Sequence, residues 1–170
     1  MINVSVYTSN NYFVWDEFVD NSNNGTIFHK LSFLDYHDRG KFKRLNLVFK
    51  RDGKILALLS GEIKKNEFCS PAGASYGSFV VGDIPFHEYE EIVDSFIKYC
   101  KKREIVSIKL TLPPIYYLKR QNEVERFVLE YKGFKISHHL ISNAVNIGES
   151  KNQEQLFDMF TSMHKRAVQK

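Results

Sequence analysis

His29, Lys30 and Tyr76 are the residues of this chain whose types and positions offer the most chemistry. His29 and Lys30 are adjacent and follow a Gly25-Thr26 turn between two predicted helices, and Tyr76 lies in a run of small residues. A lysine ammonium is a compact charge that binds phosphate, and a tyrosine hydroxyl donates a hydrogen bond. The alternatives are a solvated lysine at a helix start and a tyrosine packed on a sheet edge. We therefore predict that Lys30, His29 and Tyr76 bind substrate, and we identify no catalytic residue.

The other histidines and the two cysteines do not have the spacing of a metal site. His138 and His139 are neighbours on a predicted strand, so their side chains point to opposite faces. Cys69 and Cys100 lie far apart, and no HExxH, CxxC or Ser-His-Asp pattern is present. We therefore expect no metal and no hydrolase chemistry, and we expect reduced thiols in a cytoplasmic chain.

The composition is that of an ordinary globular chain. The 170 residues are 43% hydrophobic and 26% charged, which fits one domain with a sizeable core. We expect no membrane span, because no apolar run approaches the roughly 20 residues that cross a bilayer. The start of the chain lacks the pattern of a secretory signal. The net charge of +4 favours a phosphate-bearing or acidic partner, but it is too small to predict a nucleic-acid binder.

The amino-terminal third predicts a strand followed by two helices. Apolar and polar residues alternate from Ile2 to Tyr7, which is typical of a half-buried strand. A helix follows, with Asn10 and Asn11 as possible caps, and it ends in the polar run from Asn21 to Gly25. Residues 30–36 predict a second short helix. The apolar positions of the two helices are Val14, Trp15, Phe18, Val19, Leu31 and Leu34.

The middle of the chain predicts a β-hairpin. Leu45, Leu47 and Phe49 alternate along one strand, and residues 54–64 return as its partner. Asp52-Gly53 lies between the two runs, and this dipeptide tolerates the positive φ that a tight hairpin turn requires. A run of small residues then leads into a further strand at residues 79–81.

The remaining predicted elements alternate between helices and strands. They are a helix at 83–103, a strand at 106–112, a helix at 123–131, a strand at 134–147, and a terminal helix that Ser150 and Gln153 could cap. The apolar positions of the helix at 123–131 are Val124, Phe127, Val128 and Tyr131, and Gly133 is expected to end it. This order of elements predicts an α/β or α+β domain with a mixed sheet.

The segment from Val14 to His37 reads VWDEFVDNSNNGTIFHKLSFLDYH. This segment and the order of elements resemble N-acetyltransferase-like (GNAT) domains, and in particular the amino-terminal half of FemA/FemB/FemX-like acyl and aminoacyl transferases. The resemblance implies a GNAT-like acyl-CoA N-acyltransferase fold, whose mostly antiparallel central sheet is flanked by helices. It also implies that residues 1–148 form a GNAT-like domain and that the helix at 149–170 leads to a second one.

The same resemblance implies transfer of an acyl or aminoacyl group to an amine. The acceptor would be a small amine or a cell-envelope precursor such as a peptidoglycan precursor. The donor in the full protein would be acyl-CoA or aminoacyl-tRNA, and a tRNA contact is a minor expectation. In this family the region after the first helix contributes to the substrate cleft. His29 and Lys30 lie in that region of this sequence.

The segment from Val81 to Phe86 departs from the pattern of a cofactor-binding domain. GNAT domains hold the pyrophosphate of CoA on a Gln/Arg-x-x-Gly-x-Gly/Ala loop, whose N–H groups face the phosphates. Here the segment has one glycine, Asp83 would repel a phosphate, and Pro85 removes a donor. We therefore expect no cofactor in this chain, and we expect it to be inactive alone. The alternative is a non-catalytic GNAT-like domain for binding or scaffolding.

Overall fold

The computed structural model describes residues 1–8, 11–36, 41–139, 141, 152–158, 160, 162 and 165. The chain divides into two compact units, Met1–Ile136 and Ser137–Lys170. Within the described ranges, the elements of the first unit are, in order, β1 (Asn3–Val6), α1 (Phe13–Asn21), a 3-10 turn (Ile27–His29), α2 (Leu31–Leu34), β2 (Arg44–Arg51), β3 (Lys54–Lys64), β4 (Glu67–Cys69), β5 (Val80–Val81), α3 (Phe86–Lys101), β6 (Ser107–Lys109), a 3-10 turn (Ile115–Tyr117) and α4 (Val124–Tyr131). The second unit contains α5 (Gln153–Asp158).

The predicted hairpin forms the centre of the sheet. β2 and β3 pair in antiparallel fashion on both sides of a turn in which Asp52 has a φ of 49° and Gly53 a φ of 81°. A bulge between Phe49 and Lys50 shifts the register within this pair. A second tight turn, in which Lys65 has a φ of 56°, leads back to β4. β4 is only three residues long, and it was not predicted from the sequence.

The sheet opens between β5 and β6. Its strand order is β1-β2-β3-β4-β6, and β5 pairs with β3 in addition to this path. β4 and β5 pair with different parts of β3, at Glu62–Lys64 and at Ala57–Leu58 respectively. β6 runs parallel to β4, and within the described ranges it forms no ladder with β5. The second edge of β5 therefore needs hydrogen-bond partners from elsewhere in the chain.

Helices cover both faces of the sheet. The larger core cluster joins one face of β2 and β3 to apolar side chains of α3 and α4. The smaller cluster joins the opposite face to α1 and α2, and its members are Trp15, Val19, Leu31, Leu34, Val48, Leu58 and Val80. The expected class, a mixed and mostly antiparallel sheet flanked by helices, is confirmed. No described helix has the length and apolar character needed to cross a bilayer.

The apolar residues of α4 divide between the core and the surface. Val128 and Leu129 are buried, whereas Phe127 and Tyr131 are 58% and 66% exposed. The rings of Phe127 and Tyr131 stack on each other at 6.2 Å, as two residues four apart on a helix surface can do. Two overlapping apolar stripes are present in this helix, and its spacing alone does not identify the one that packs on α3. Gly133 ends the helix region with a φ of 89°, as predicted.

The predicted strand at 134–147 is wrong where the structure describes it. Residues 134–139 and 141 have no strand conformation, and residues 142–147 lie outside the described ranges. The predicted caps Asn10 and Ser150 lie outside them as well. In the second unit, Asn152 Oδ1 accepts a hydrogen bond of 2.9 Å from the Gln155 N–H at the start of α5. The boundary between residues 148 and 149 remains a prediction.

Replacement of Gly61 by alanine tests the pairing of β3 with β4. A Cβ atom at this position would lie 2.2 Å from Phe68 Cζ and 2.6 Å from the Cys69 carbonyl oxygen. We expect Gly61→Ala to lower the free energy of unfolding by about 1–3 kcal/mol, because the packed neighbours must shift. Urea denaturation measures this change. Gly82→Ala is the matched control, since its Cβ would meet no atom within 4 Å. Equal stability of the two variants would contradict the β3–β4 register.

Candidate functional site

The open edge of β5 is closed by two asparagines. Asn24 Nδ2 donates to the Phe79 carbonyl at 2.6 Å, and Asn24 Oδ1 accepts from the Val81 N–H at 2.9 Å. The backbone N–H of Asn23 donates to the Val81 carbonyl at 2.8 Å. Asn23 and Asn24 therefore pair with β5 as a neighbouring strand would, through one backbone group and one side-chain amide.

The same segment also pairs with the loop after β6. Asn23 Nδ2 donates to the Arg120 carbonyl at 3.0 Å, and Asn23 Oδ1 accepts from the Arg120 N–H at 2.7 Å. The Lys119 N–H donates to the Asn23 carbonyl at 2.9 Å. Asn23 and Asn24 thus bridge β5 and this loop. The backbone groups at the opening are already paired, so an extended ligand cannot add to the β5 edge there.

The end of α1 brings the asparagines into this position. Ser22 Oγ donates to the Val19 carbonyl at 2.7 Å and accepts from the Gly25 N–H at 2.9 Å. A Cβ at position 25 would lie 2.1 Å from the Val19 carbonyl oxygen, so only glycine fits this approach. The polar run from Asn21 to Gly25 ends the helix, as predicted. The role of the asparagine amides was not predicted, although an Asn-Asn dipeptide beside a required glycine is the available signal.

The Glu125 side chain points into the protein beside the closed edge of β5. It lies in the first turn of α4, and its Oε2 is 3.5 Å from Asn24 Nδ2. Its other carboxyl oxygen, Oε1, is inaccessible to solvent, as are Ser78 Oγ and Tyr89 Oη. The Tyr89 and Ser78 hydroxyls face the Glu125 carboxyl, and with the Asn24 amide they form one buried polar cluster. Ser78 is fully buried, and Tyr89 is 1% exposed.

Burial sets the ionisation of this cluster. It raises the pKa of Glu125 to about 7, and the polar groups of Tyr89, Ser78 and Asn24 that face the carboxyl oppose this rise. Burial also raises the pKa of the Tyr89 hydroxyl well above its ordinary value, and the neighbouring Glu125 adds to the effect. The Glu125 carboxyl therefore changes charge near neutral pH, which is the property of a group that takes up and releases protons.

A narrow crevice leads to this carboxyl. It has a volume of about 20 Å³, and its lining includes Asn24, Gly82, Tyr89, Asn122 and Glu125. Asn122 is exposed and Gly82 is half-buried, so the crevice reaches the surface. The volume is sufficient for one water molecule or one small polar group. Glu125 was not predicted from the sequence, because a single glutamate at the start of a helix is not part of any motif.

Lys30 lies at a separate surface groove. This groove has a volume of about 510 Å³, and its lining includes Asp20, Thr26, Lys30 and Ser32. Lys30 Nζ pairs with the Asp20 carboxylate at 2.7 Å. Two charges of opposite sign are therefore available at one wall of the groove.

His29 fixes the turn beside this groove. It is only 2% exposed, and its Nδ1 accepts from the Thr26 N–H at 3.1 Å. Burial lowers its pKa to about 4, so the ring is neutral at physiological pH and its proton lies on Nε2. The Trp15 indole donates to the His29 carbonyl at 2.8 Å, which anchors the turn to α1. The described lining of the groove includes Lys30 but not His29.

Tyr76 is part of a row of aromatic rings. Its ring centroid lies 5.5 Å from that of Phe28 and 5.8 Å from that of Tyr117. Phe28 directly precedes His29, so all three predicted residues belong to neighbouring parts of the fold. Tyr76 is not in the described lining of the Lys30 groove, and its role in substrate binding remains a prediction.

The segment before α3 contains acidic side chains and a proline where a phosphate-binding loop would need N–H donors. Asp83 forms an ion pair with Arg120, and Pro85 is the cap residue of α3. Glu88 in the first turn is bound by Arg51 at 2.8 Å. Acidic side chains therefore stand at the position where a phosphate would need donors.

Comparison with known proteins gives a weak structural likeness and no family. No family model matches the chain, and no curated protein matches it. A solved structure that it resembles is the crystal structure of a transcriptional regulator from Bacillus halodurans C-125, with a TM-score of 0.49 and 14% sequence identity. The likeness covers 85% of this chain and 100% of that chain. At this level of similarity it assigns neither a family nor a function.

The pH dependence of stability tests the burial of Glu125. Its pKa is near 4.5 in the unfolded chain and about 7 in the fold, so between these values the folded state binds more protons. The Glu125 contribution to stability is therefore complete below about pH 4.5 and is lost as pH rises through about 7. We expect a loss of about 2–3 kcal/mol between pH 5 and 8 relative to Glu125→Gln, measured by urea denaturation.

The comparison with Glu125→Gln separates this effect from that of His29. The lowered pKa of His29 makes stability rise with pH between about 4 and 6.5, and it does so equally in both proteins. Parallel stability curves for the wild type and Glu125→Gln would show that the carboxyl is solvated. Glu130→Gln is the matched control on the exposed side of the same helix.

Proposed function

We propose that this chain is the acceptor-binding, GNAT-like half of an N-acyltransferase. In this proposal the acyl or aminoacyl donor, acyl-CoA or aminoacyl-tRNA, is held by a second GNAT-like domain, and the reaction is transfer to an amine. The observation that carries the proposal is the closure of the β5 edge by Asn23 and Asn24. A sheet that opens between two strands offers a cleft for a ligand. Here Asn23 and Asn24 fill the opening beside β5.

The assignment to a transferase rests on the sequence and on the order of the elements. The segment from Val14 to His37 resembles the amino-terminal half of FemA/FemB/FemX-like transferases. The parallel pairing of β4 with β6, the separation of β6 from β5 and the helix between them agree with a GNAT-like domain. The fold alone does not imply the activity, since one scaffold supports many functions.

The charges in the segment before α3 support the proposal that the acyl donor binds to another domain. The segment from Val81 to Phe86 contributes one glycine, an aspartate and a proline to the position where CoA phosphates would require N–H donors. Arg120 is the nearby cation, and it is already paired with Asp83. A cofactor diphosphate would have to displace this pair and would meet Glu88 beyond it.

The Lys30 groove is the proposed place for the acceptor. Its volume of about 510 Å³ is that of a small-molecule site. The Lys30 ammonium has three N–H donors and can bind a phosphate of a cell-envelope precursor while it remains near Asp20. A cytoplasmic location is part of this proposal, because such precursors and both classes of donor are made there.

Titration with coenzyme A tests the closed cleft. We expect no binding heat at about 1 mM ligand with the 170-residue chain, since the donor groups of β5 are already paired. Isothermal titration calorimetry measures this directly. Tight binding with a footprint at Gly82 would overturn the proposal that this domain does not hold the donor.

Titration with inorganic pyrophosphate tests Lys30. We expect Lys30→Ala to weaken pyrophosphate binding about five- to tenfold, because one charge-assisted contact is lost. NMR shift changes at Thr26 and Ser32 report occupancy of the groove. Lys54→Ala, at the exposed hairpin end, is the charge-matched control. Equal affinity for the wild type and Lys30→Ala would reject this role.

A second candidate function is non-catalytic binding or scaffolding. The closed β5 edge also favours this function. A domain that has no cleft for the acyl donor can still bind a ligand in its surface groove. Transfer from a labelled acyl or aminoacyl donor to an amine by the natural full-length protein distinguishes the two. Sustained transfer that depends on Lys30 supports the acceptor-binding half, and its absence supports the binding module.

A further inference from the structure

The two halves of α3 have opposite charges, and the acidic half is neutralised within the fold. Arg51 from β2 and Lys132 from the end of α4 form ion pairs with the acidic side chains of the first half. These acidic residues are Glu88, Glu90, Glu91 and Asp94. The positive charge that remains on this helix therefore lies at its carboxyl end.

Five exposed cations from two segments meet at this end of α3. They form the basic end of the molecule, which consists of Lys65, Lys98, Lys101, Lys102 and Arg103. Within the described part of the chain none of them forms an ion pair. The turn that contains Lys65 lies beside the connection from α3 to β6, because the Asn66 carbonyl accepts a hydrogen bond of 2.8 Å from the Val106 N–H.

The carboxylates near the basic end do not balance its charge. Glu62 pairs with Lys64 at 2.7 Å, and Glu67 accepts a hydrogen bond of 2.6 Å from the Ser107 hydroxyl. Glu104 is exposed in the connection after α3, and its single charge is opposed by five cations. A net positive surface therefore faces the solvent at this place.

The helix dipole explains only part of this arrangement. Cations in the last turn of a helix interact favourably with its dipole, which accounts for one lysine or two there. Lys98 lies three and four residues before Lys101 and Lys102, however, and like charges at these spacings repel each other. Lys65 belongs to another element and gains nothing from the dipole of α3. An external anionic partner would relieve the repulsion among all five cations.

Two exposed aliphatic side chains accompany the cations. Val106 is 80% exposed and Ile63 is 37% exposed. Ile63 pairs with Phe68, and Phe68 pairs with Ile108, so these residues share one face of the sheet. By the alternation of an extended chain, Val106 lies on the same face as Ile108. Cations beside aliphatic side chains suit a lipid surface, where headgroups attract the charges and the apolar groups enter the interface.

The aromatic and basic residues of this surface favour lipid over nucleic acid. Proteins that bind single strands stack the bases on exposed rings, whereas Phe68 and Tyr99 are buried here. The Arg103 guanidinium lies 3.8 Å from the centroid of the Tyr99 ring. The other four cations are lysines, which act as point charges and lack the fork that binds one phosphate bidentately. Point charges suit the diffuse negative potential of a bilayer.

We propose that the basic end binds the surface of an anionic phospholipid bilayer, with Val106 at the boundary between headgroups and acyl chains. The contact is peripheral and depends on charge, so salt weakens it. It uses no residue of the Lys30 groove or of the closed β5 edge, and it does not rest on the proposed acyl transfer. The result of the coenzyme A titration therefore leaves it unaffected.

Co-sedimentation of the 170-residue chain with vesicles tests the contact. We expect saturable binding to phosphatidylcholine vesicles that contain about 30% phosphatidylglycerol, and none to phosphatidylcholine alone. The double variant Lys101→Ala/Lys102→Ala should bind about ten- to twenty-fivefold more weakly, since each lysine near such a surface is worth about fivefold. Lys50→Ala/Lys54→Ala, beside the turn at the other end of β3, loses the same charge and should bind as the wild type does.

Two further measurements distinguish a bilayer from other anionic partners. In Val106→Trp the indole emission should move to shorter wavelength with the anionic vesicles, whereas the native Trp15 is 1% exposed and stays constant. No emission shift, equal affinity of the two double variants, or equal binding to neutral vesicles would overturn the proposal. Binding to poly(U) that Lys101→Ala/Lys102→Ala abolishes, without vesicle binding, would assign the basic end to nucleic acid and overturn it as well.

Discussion

The structure depends on how a buried strand edge obtains its hydrogen bonds. β5 is two residues long and pairs with β3 on one side, while β6 turns away to pair with β4. The free edge of β5 is inside the protein, where an unpaired N–H or C=O would be costly. Asn23 and Asn24 resolve this constraint from the end of α1. Their amides hold together β5, the loop after β6 and the first helix.

The pairing of Asn24 with β5 determines which polar groups lie next to Glu125. The Asn24 amide is committed to the β5 backbone, so it offers the carboxyl only a contact of 3.5 Å. Tyr89 packs from α3 in the main core and brings its hydroxyl to the same place. A buried polar cluster results, and it lies behind a crevice rather than in the groove of Lys30. The Glu125 carboxyl and the Lys30 groove are therefore two separate features of this part of the fold.

Local patterns in the sequence predicted the fold well where they act over short distances. The Asp52-Gly53 turn, the alternation of β2 and β3, and Pro85 at the start of α3 each have a direct physical meaning. The apolar residues of α4 do not indicate which face of the helix is buried, because that depends on packing against α3. Glu125 could not be found from the sequence, since its burial arises from contacts with residues 24, 78 and 89.

Amide hydrogen exchange at Val81 tests the closed edge most directly. Its N–H points away from β3 and is held by Asn24 Oδ1. Our account predicts protection close to that of the β3 amides in the wild type, and rapid exchange at Val81 in Asn24→Ala while β3 stays protected. Rapid exchange of Val81 in the wild type, or unchanged protection in Asn24→Ala, would show that Asn24 does not close this edge.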